Sequence, residues 1–131
     1  MKRPTFSIVI ETANLSKAEL TGLQRTLESM SQQSVPMEHA NAVVIVDSGD
    51  VPDEVLQQTL NVYPWIRVLR FPSSTGYEEL KMEGLNGTTG NVVVFADGDC
   101  VYDNGWLEAL LVPFLDDSVS VVGGELRHPL I

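Results

Sequence analysis

Asp97 and Asp99, held one residue apart by Gly98, are the pair in this chain whose types and spacing best suit chemistry. Carboxylate oxygens are ligands for hard divalent cations such as Mg2+ and Mn2+. Mg2+ takes only one or two of them and completes its shell with water and substrate phosphates. The pair follows Val92–Phe95, a β-branched and aromatic run that reads as a strand buried on both faces. A buried strand that ends in two acids carries them to its mouth, where they add little to packing and can hold a cation. The same residues also fit an Asp-Gly hairpin turn between Val92–Ala96 and Asp99–Tyr102. Cys100, beside Asp99, is the single cysteine, so no internal disulfide can form and it reads as a small structural thiol in a reducing compartment.

The elements that must position these acids can be read in order. Phe6–Ile10 is an apolar first strand ending in Glu11, Thr12, Ala13 and Asn14. Ser16 to Glu19 matches a capping box, and Leu20, Leu23, Leu27 and Met30 recur at helical spacing, which predicts a helix over Lys17–Gln33. Ala42–Val46 is a second strand, and it ends in Asp47, Ser48, Gly49 and Asp50. Pro52, Asp53 and Glu54 open a short helix whose Val55, Leu56 and Leu60 face the core. Ile66–Phe71 is a third strand, more exposed because Arg67 and Arg70 interrupt it, and the loop Pro72–Gly76 leads into a weak helix over Tyr77–Leu85. After the fourth strand, a helix beginning near Asp103 buries Trp106, Leu107, Leu110, Leu111 and Phe114, and Pro113 kinks or shortens it. Val119–Val122 reads as a fifth strand.

This alternation predicts an α/β fold, a mostly parallel sheet with helices on both faces and right-handed crossovers, in one domain over residues 1–131. Ile8, Val44, Val94 and Phe95 are expected to be fully buried. Three polar clusters, Glu11–Asn14, Asp47–Asp50 and Asp97–Asp99, each follow a buried strand. In open α/β sheets ligands bind outside the carboxyl ends of the strands. Parallel strands put all three clusters on one rim, a coincidence that the hairpin does not explain and a metal-assisted ligand site does.

Composition narrows the partners. Eight basic against eighteen acidic residues give a formal charge of −10, which argues against nucleic acid as a partner, since that binding rests on clustered Lys and Arg. A small phosphate ligand bridged by a metal remains compatible. The apolar run before Glu11 is too short for a signal peptide, and no stretch reaches the roughly 18 apolar residues of a membrane span, so a cytoplasmic location is expected.

The order FSIVIETAN, a helix, VVIVDSGD and then KMEGLNGTTGNVVVFADGD resembles the nucleotide-sugar-binding half of the inverting glycosyltransferases of family 2, which have the Rossmann-like GT-A fold. In that family the first strand usually ends in Pro-Thr-Tyr-Asn, the second in Val-Asp-Asp-Gly-Ser and the fourth in Asp-x-Asp. Thr12 and Asn14 match the first motif, while Glu11 replaces its proline and Ala13 its aromatic ring. Asp47 matches the first acid of the second motif, which reads the nucleobase edge, and Ser48 replaces the second, so base recognition falls to Asp47 or to Asp50. Gly76 and Lys81 stand where the family has a glycine and a basic residue near the diphosphate; the alternative for Lys81 is a solvated surface lysine. Asp97 resembles the acid near the ribose and metal water, and Asp99 the direct metal ligand.

The resemblance implies metal-dependent transfer, with Mn2+ or Mg2+, from a nucleotide-diphospho-sugar donor to a saccharide or lipid acceptor. A non-catalytic nucleotide-binding or interaction domain on the same sheet is the alternative. The family's general base lies beyond the Asp-x-Asp half. Asp116, Asp117 and Glu125 are the late acids here and none sits in a recognisable base motif. The base is therefore expected beyond Ile131, and the chain is expected to be the donor portion of a longer enzyme. An exposed edge at Val119–Val122, or the tail after Gly124, is expected to favour self-association into a homo-oligomer.

Overall fold

The computed structural model describes residues 4–12 and 20–124. The expected capping box at Ser16–Glu19, the candidate residue Asn14, Glu125 and the tail from there to Ile131 lie outside the described residues. Four strands form one sheet: β1 (Phe6–Glu11), β2 (Ala42–Asp47), β3 (Ile66–Arg70) and β4 (Val92–Asp97). The sheet order is β3-β2-β1-β4 and every pairing is parallel. This arrangement excludes the hairpin over Asp97–Asp99, because β4 pairs with β1 from Phe6–Val92 through Glu11–Asp97.

The central strands are continuously apolar because both of their faces are covered. On one face Ile8, Ile10, Val43 and Ile45 pack with Leu23, Leu27 and Met30 of α1 (Leu20–Ser31). Leu56 of α2 (Asp53–Val62) and Leu107 and Leu111 of α4 (Trp106–Leu111) join the same cluster. On the other face Val9, Val44 and Val46 meet Leu80 of α3 (Tyr77–Asn86). Helix α3 lies very close to the sheet: a Cβ at Gly84 would stand 2.4 Å from Val9 Cγ1. The helix after β4 is short, as expected. It passes at Val112 into a 3₁₀ turn that contains Pro113, which lacks the amide an α-helix needs.

Two expectations are corrected. Phe95 is 43% exposed, whereas Ile8, Val44 and Val94 are buried. Strand β4 closes the described sheet, so its two faces are unequal: Val92, Val94 and Ala96 point into the α1–α4 core, while Phe95 lies on the opposite, thinly covered face. The second correction concerns Val119–Val122, which forms no strand. Val121 is 86% exposed and no ladder joins the run to the outer side of β4, so the expected self-association edge is not formed there.

Candidate functional site

The parallel register brings the polar clusters to one rim. Glu11 lies opposite Val46 on one side and Asp97 on the other, so β1, β2 and β4 end at the same level. The Gly98 amide donates to the Glu11 carbonyl at 3.0 Å, which extends the ladder one residue past β4 and sets where the Asp-x-Asp turn begins.

Asp47 is the most enclosed of the acids, with no exposed surface. Its Oδ1 accepts from the Thr12 hydroxyl at 2.8 Å and from the Val51 amide at 3.2 Å. Its Oδ2 accepts from the Gly49 amide at 3.1 Å and faces Arg70 Nη2 at 3.4 Å. Gly49 has a φ of +96°, a conformation that L side chains rarely adopt and that turns its amide back onto Asp47. Arg70 also donates to the Val51 carbonyl at 3.1 Å and pairs with Asp53. The carboxylate therefore gathers the loop Ser48–Val51 and the ends of β1 and β3. Asp50, half-buried, is the acid that this loop presents.

Asp97 is held by two tyrosines that sequence reasoning missed. The Tyr102 hydroxyl accepts from the Asp97 amide at 3.0 Å and donates to its carbonyl at 3.1 Å. Those groups point away from β1, because it is the Gly98 amide that bonds Glu11, so Tyr102 closes the outer edge of β4 at its last residue. The Tyr77 hydroxyl donates to Asp97 Oδ1 at 3.2 Å. Burial, together with the neighbouring acidic groups of Cys100 and Asp97, keeps the Tyr102 phenol well above the usual tyrosine range.

The loop after the Asp-x-Asp turn is tied to α1 by a row of polar side chains. Thr26 donates to the Cys100 carbonyl at 2.6 Å, and Ser29 Oγ accepts from the Tyr102 amide at 3.1 Å. Gln33 donates to the Asp103 carbonyl at 2.7 Å and accepts from the Leu107 amide at 3.0 Å. Thr26 and Ser29 share the buried side of α1 and Gln33 follows just past its end, and that run of polar residues inside an apolar pattern was the available signal.

Asp97, Asp99 and Cys100 each offer one ligand atom within 4.8 Å of the others. Asp99 is exposed and Asp97 half-buried, which suits an ion that keeps water and takes phosphate oxygens. Burial, followed by the charges of Asp99 and Asp97, pushes the Cys100 thiol up. The two carboxylates therefore fit a hard divalent cation, and the thiol adds little to it.

Gly76 and Lys81 sit on the same rim through α3. Gly76 is the N-cap of that helix, where a Cβ would meet nothing within 4 Å, so the position does not need glycine for space. Lys81 Nζ lies 4.1 Å from the centroid of the Tyr77 ring and 5.9 Å from that of Phe95. Burial disfavours the ammonium, but hydrogen bonding and charge from Tyr77, with the charges of Asp97 and Glu11, raise its pKa above the usual lysine value. Lys81 thus lies over the Tyr77 ring with Asp97 and Glu11 in its field. Asp116 is a separate feature, an exposed turn acid that accepts from the amide and hydroxyl of Ser118.

Along the chain come a buried acid beneath a glycine-turned loop, a helix lysine and a strand-end acid pair, and residues 7–129 match the family model for Glycosyl transferase family 2. The chain belongs to that family. The relatives and structural neighbours that the chain matches are longer than it. Glycosyltransferase AglE of Haloferax volcanii is 26% identical over 126 residues, covering 95% of this chain and 40% of the relative. The fold is GT-A. The structure of GalNAc-T7 with UDP, GalNAc and Mn2+ superposes with a TM-score of 0.72 at 21% identity, over 88% of this chain and 21% of that one. A mannosyltransferase of Pyrobaculum calidifontis, in complex with GDP-Man and Mn2+, gives 0.66 at 20% identity, over 78% of this chain and 29% of that one. The chain thus spans less than half the length of these glycosyltransferases. No helix among the described residues is long and apolar enough to cross a membrane.

Proposed function

We propose that this chain is the donor-binding portion of a glycosyltransferase that moves a sugar from a nucleotide-diphospho-sugar to a hydroxyl acceptor. The observation that carries the reading is the pairing of Asp97 with Asp99 at the strand end, with Lys81 beside Asp97, at the rim where Thr12 and Asp47 also end. Lys81 offers positive charge to the diphosphate. Asp99, the exposed acid, would hold the cation, with Asp97 on its inner side toward the ribose. Mn2+ or Mg2+, when bound, supplies Lewis-acid stabilisation of charge on the leaving diphosphate.

Thr12 and Asp47 act on the nucleobase through the loop they hold, and Asp50 presents the carboxylate that meets the base edge. Asn14 and Gly76 remain proposed donor contacts through the family's motifs. The acceptor is proposed to attack from the face opposite the diphosphate, giving inversion. Its proton is proposed to go to a general base beyond Ile131. Such a base is worth roughly 10²–10⁴-fold in rate.

Calorimetric titration with UDP and with GDP, each with and without Mn2+, tests the reading. Heat that depends on both nucleotide and metal is expected. Binding of a nucleotide with equal affinity in the absence of any divalent cation would instead favour a non-catalytic nucleotide-binding domain. The anomeric configuration of product from the active enzyme, read from proton coupling constants, tests inversion.

A further inference from the structure

Tyr77 touches both kinds of charge at the rim. Its hydroxyl donates to Asp97 Oδ1 at 3.2 Å, and its ring faces Lys81 Nζ at 4.1 Å. We propose that Tyr77 is a positioning residue of the donor site, fixing the Asp97 carboxylate through its hydroxyl and seating the Lys81 ammonium on its ring. The cation that meets phosphate and an acid that faces the metal are thereby held as one unit. This rests on the donor-site reading above.

The hydroxyl serves Asp97 and Lys81, and the ring serves Lys81 alone. Tyr77 and Lys81 are four residues apart on α3 and so share a face of that helix. Leu80 between them is fully buried against Val9, Val44 and Val46, which fixes that helical turn to the sheet. Asp97 is equally fixed in its main chain, since Tyr102 bonds both its amide and its carbonyl. What remains free to rotate is the Asp97 side chain, and the Tyr77 hydroxyl restrains it. Engaging Oδ1 leaves Oδ2 for a ligand. The first turn of α3 carries Glu78 and Glu79, which repel an anion. A lysine that must serve a diphosphate there gains from being held in place, and an aromatic face does this without adding negative charge. A phenylalanine would fill the same space and keep the ring under the lysine, but it would lose the hydroxyl that bonds Asp97 and also hydrogen-bonds Lys81.

Two variants separate the tasks. In Tyr77→Phe the ring stays and the hydroxyl goes; in Tyr77→Leu both go. Mn2+ affinity is read from the electron paramagnetic resonance signal of free Mn2+, and nucleotide affinity from UDP and GDP titrations at saturating Mn2+. Groups that orient a metal ligand typically contribute about 10–100-fold to affinity. Tyr77→Phe is expected to weaken Mn2+ binding about 10-fold while weakening nucleotide affinity at saturating metal by less than that, and by less than Tyr77→Leu does, because the ring still carries the lysine. Tyr77→Leu is expected to weaken both. A purely structural tyrosine would shift the melting temperature of Tyr77→Phe and leave its Mn2+ affinity unchanged, and that result overturns the proposal. Equal loss of both affinities in Tyr77→Phe overturns it as well. If the unsubstituted chain binds no Mn2+, the donor-site reading itself fails and this role fails with it. Should Tyr77→Leu not fold, the two measurements on Tyr77→Phe alone decide.

Discussion

The Thr12 hydroxyl donates to Asp47 Oδ1 at 2.8 Å, joining the ends of β1 and β2 through two side chains that are both fully buried. Asp47 also accepts from the amides of Gly49 and Val51 and faces Arg70, so each of its oxygens already has two partners. A carboxylate filled in this way holds the loop after β2 more directly than it reads a base. Thr12 and Asp47, matched to the family's first and second motifs, thus form one latch across two strands.

Substitution of that latch should cost stability first. Asp47→Asn puts an amide where backbone N–H groups donate, leaving buried donors opposed, and is expected to lower stability by about 3 kcal/mol. Thr12→Val loses one hydrogen bond to a charged group and should cost about 1.5–3 kcal/mol. Urea denaturation measures both. A loss under about 1 kcal/mol in Asp47→Asn would show that the carboxylate is not committed to the loop and is available to a ligand.

Much of this architecture was legible because it repeats locally. The unbroken apolar runs of β1 and β2 identify strands covered on both faces, and Leu23, Leu27 and Met30 identify α1 by their spacing. Phe95 was misread because Val92–Phe95 has the same composition whether the strand is central or terminal in the sheet; only strand order tells the two apart. Val119–Val122 has strand-like residues but no ladder, and pairing is not a property of one segment. Tyr77 and Tyr102 were missed for a related reason. Their hydroxyls meet Asp97 through the crossover of α3 and the return of the loop onto α1, which no spacing in the sequence displays.

Asp99 separates binding from stability. It is exposed at the turn and packs against little, so Asp99→Asn should change the urea midpoint by less than about 0.5 kcal/mol equivalent. Removing its charge should nevertheless abolish most metal-dependent nucleotide binding. Cys100→Ser, by contrast, should leave Mn2+ affinity within about twofold, because hard cations favour oxygen over sulfur ligands. Equal Mn2+-nucleotide affinity in Asp99→Asn, or a large loss in Cys100→Ser, would reverse these roles. Both are read by calorimetry.

Gly84 links packing to the site at a distance. A Cβ there would lie 2.4 Å from Val9 Cγ1 and 3.1 Å from Val46 Cγ1, so Gly84→Ala must lift α3 from β1 and β2. Overpacking of this kind costs about 1–3 kcal/mol. Because α3 carries Tyr77 and Lys81, the same lift should weaken nucleotide binding, although Gly84 is not among the rim residues. Stability lost with unchanged affinity would show that the rim tolerates the shift. Parallel urea and nucleotide titrations on the variant give both answers.

Tyr102 predicts an alkaline limit. Its phenol must stay neutral to donate to the Asp97 carbonyl, and it packs on Trp106 with ring centroids 4.1 Å apart. Burial, with Cys100 and Asp97 nearby, raises its pKa in the folded chain above the ordinary value of 10.0. The unfolded chain therefore releases this proton at lower pH than the folded one. The stability that Tyr102 contributes is complete below pH 10.0 and is lost as pH rises from there toward the raised value. Tyr102→Phe removes the bonds to the amide and carbonyl of Asp97 and should lower stability at neutral pH by about 1–3 kcal/mol. Its alkaline decline should also be shallower, since the proton linked to unfolding is gone. Urea midpoints followed from pH 7 to 11 in both chains should converge above pH 10. Curves that stay parallel throughout would mean that the phenol does not clamp the end of β4.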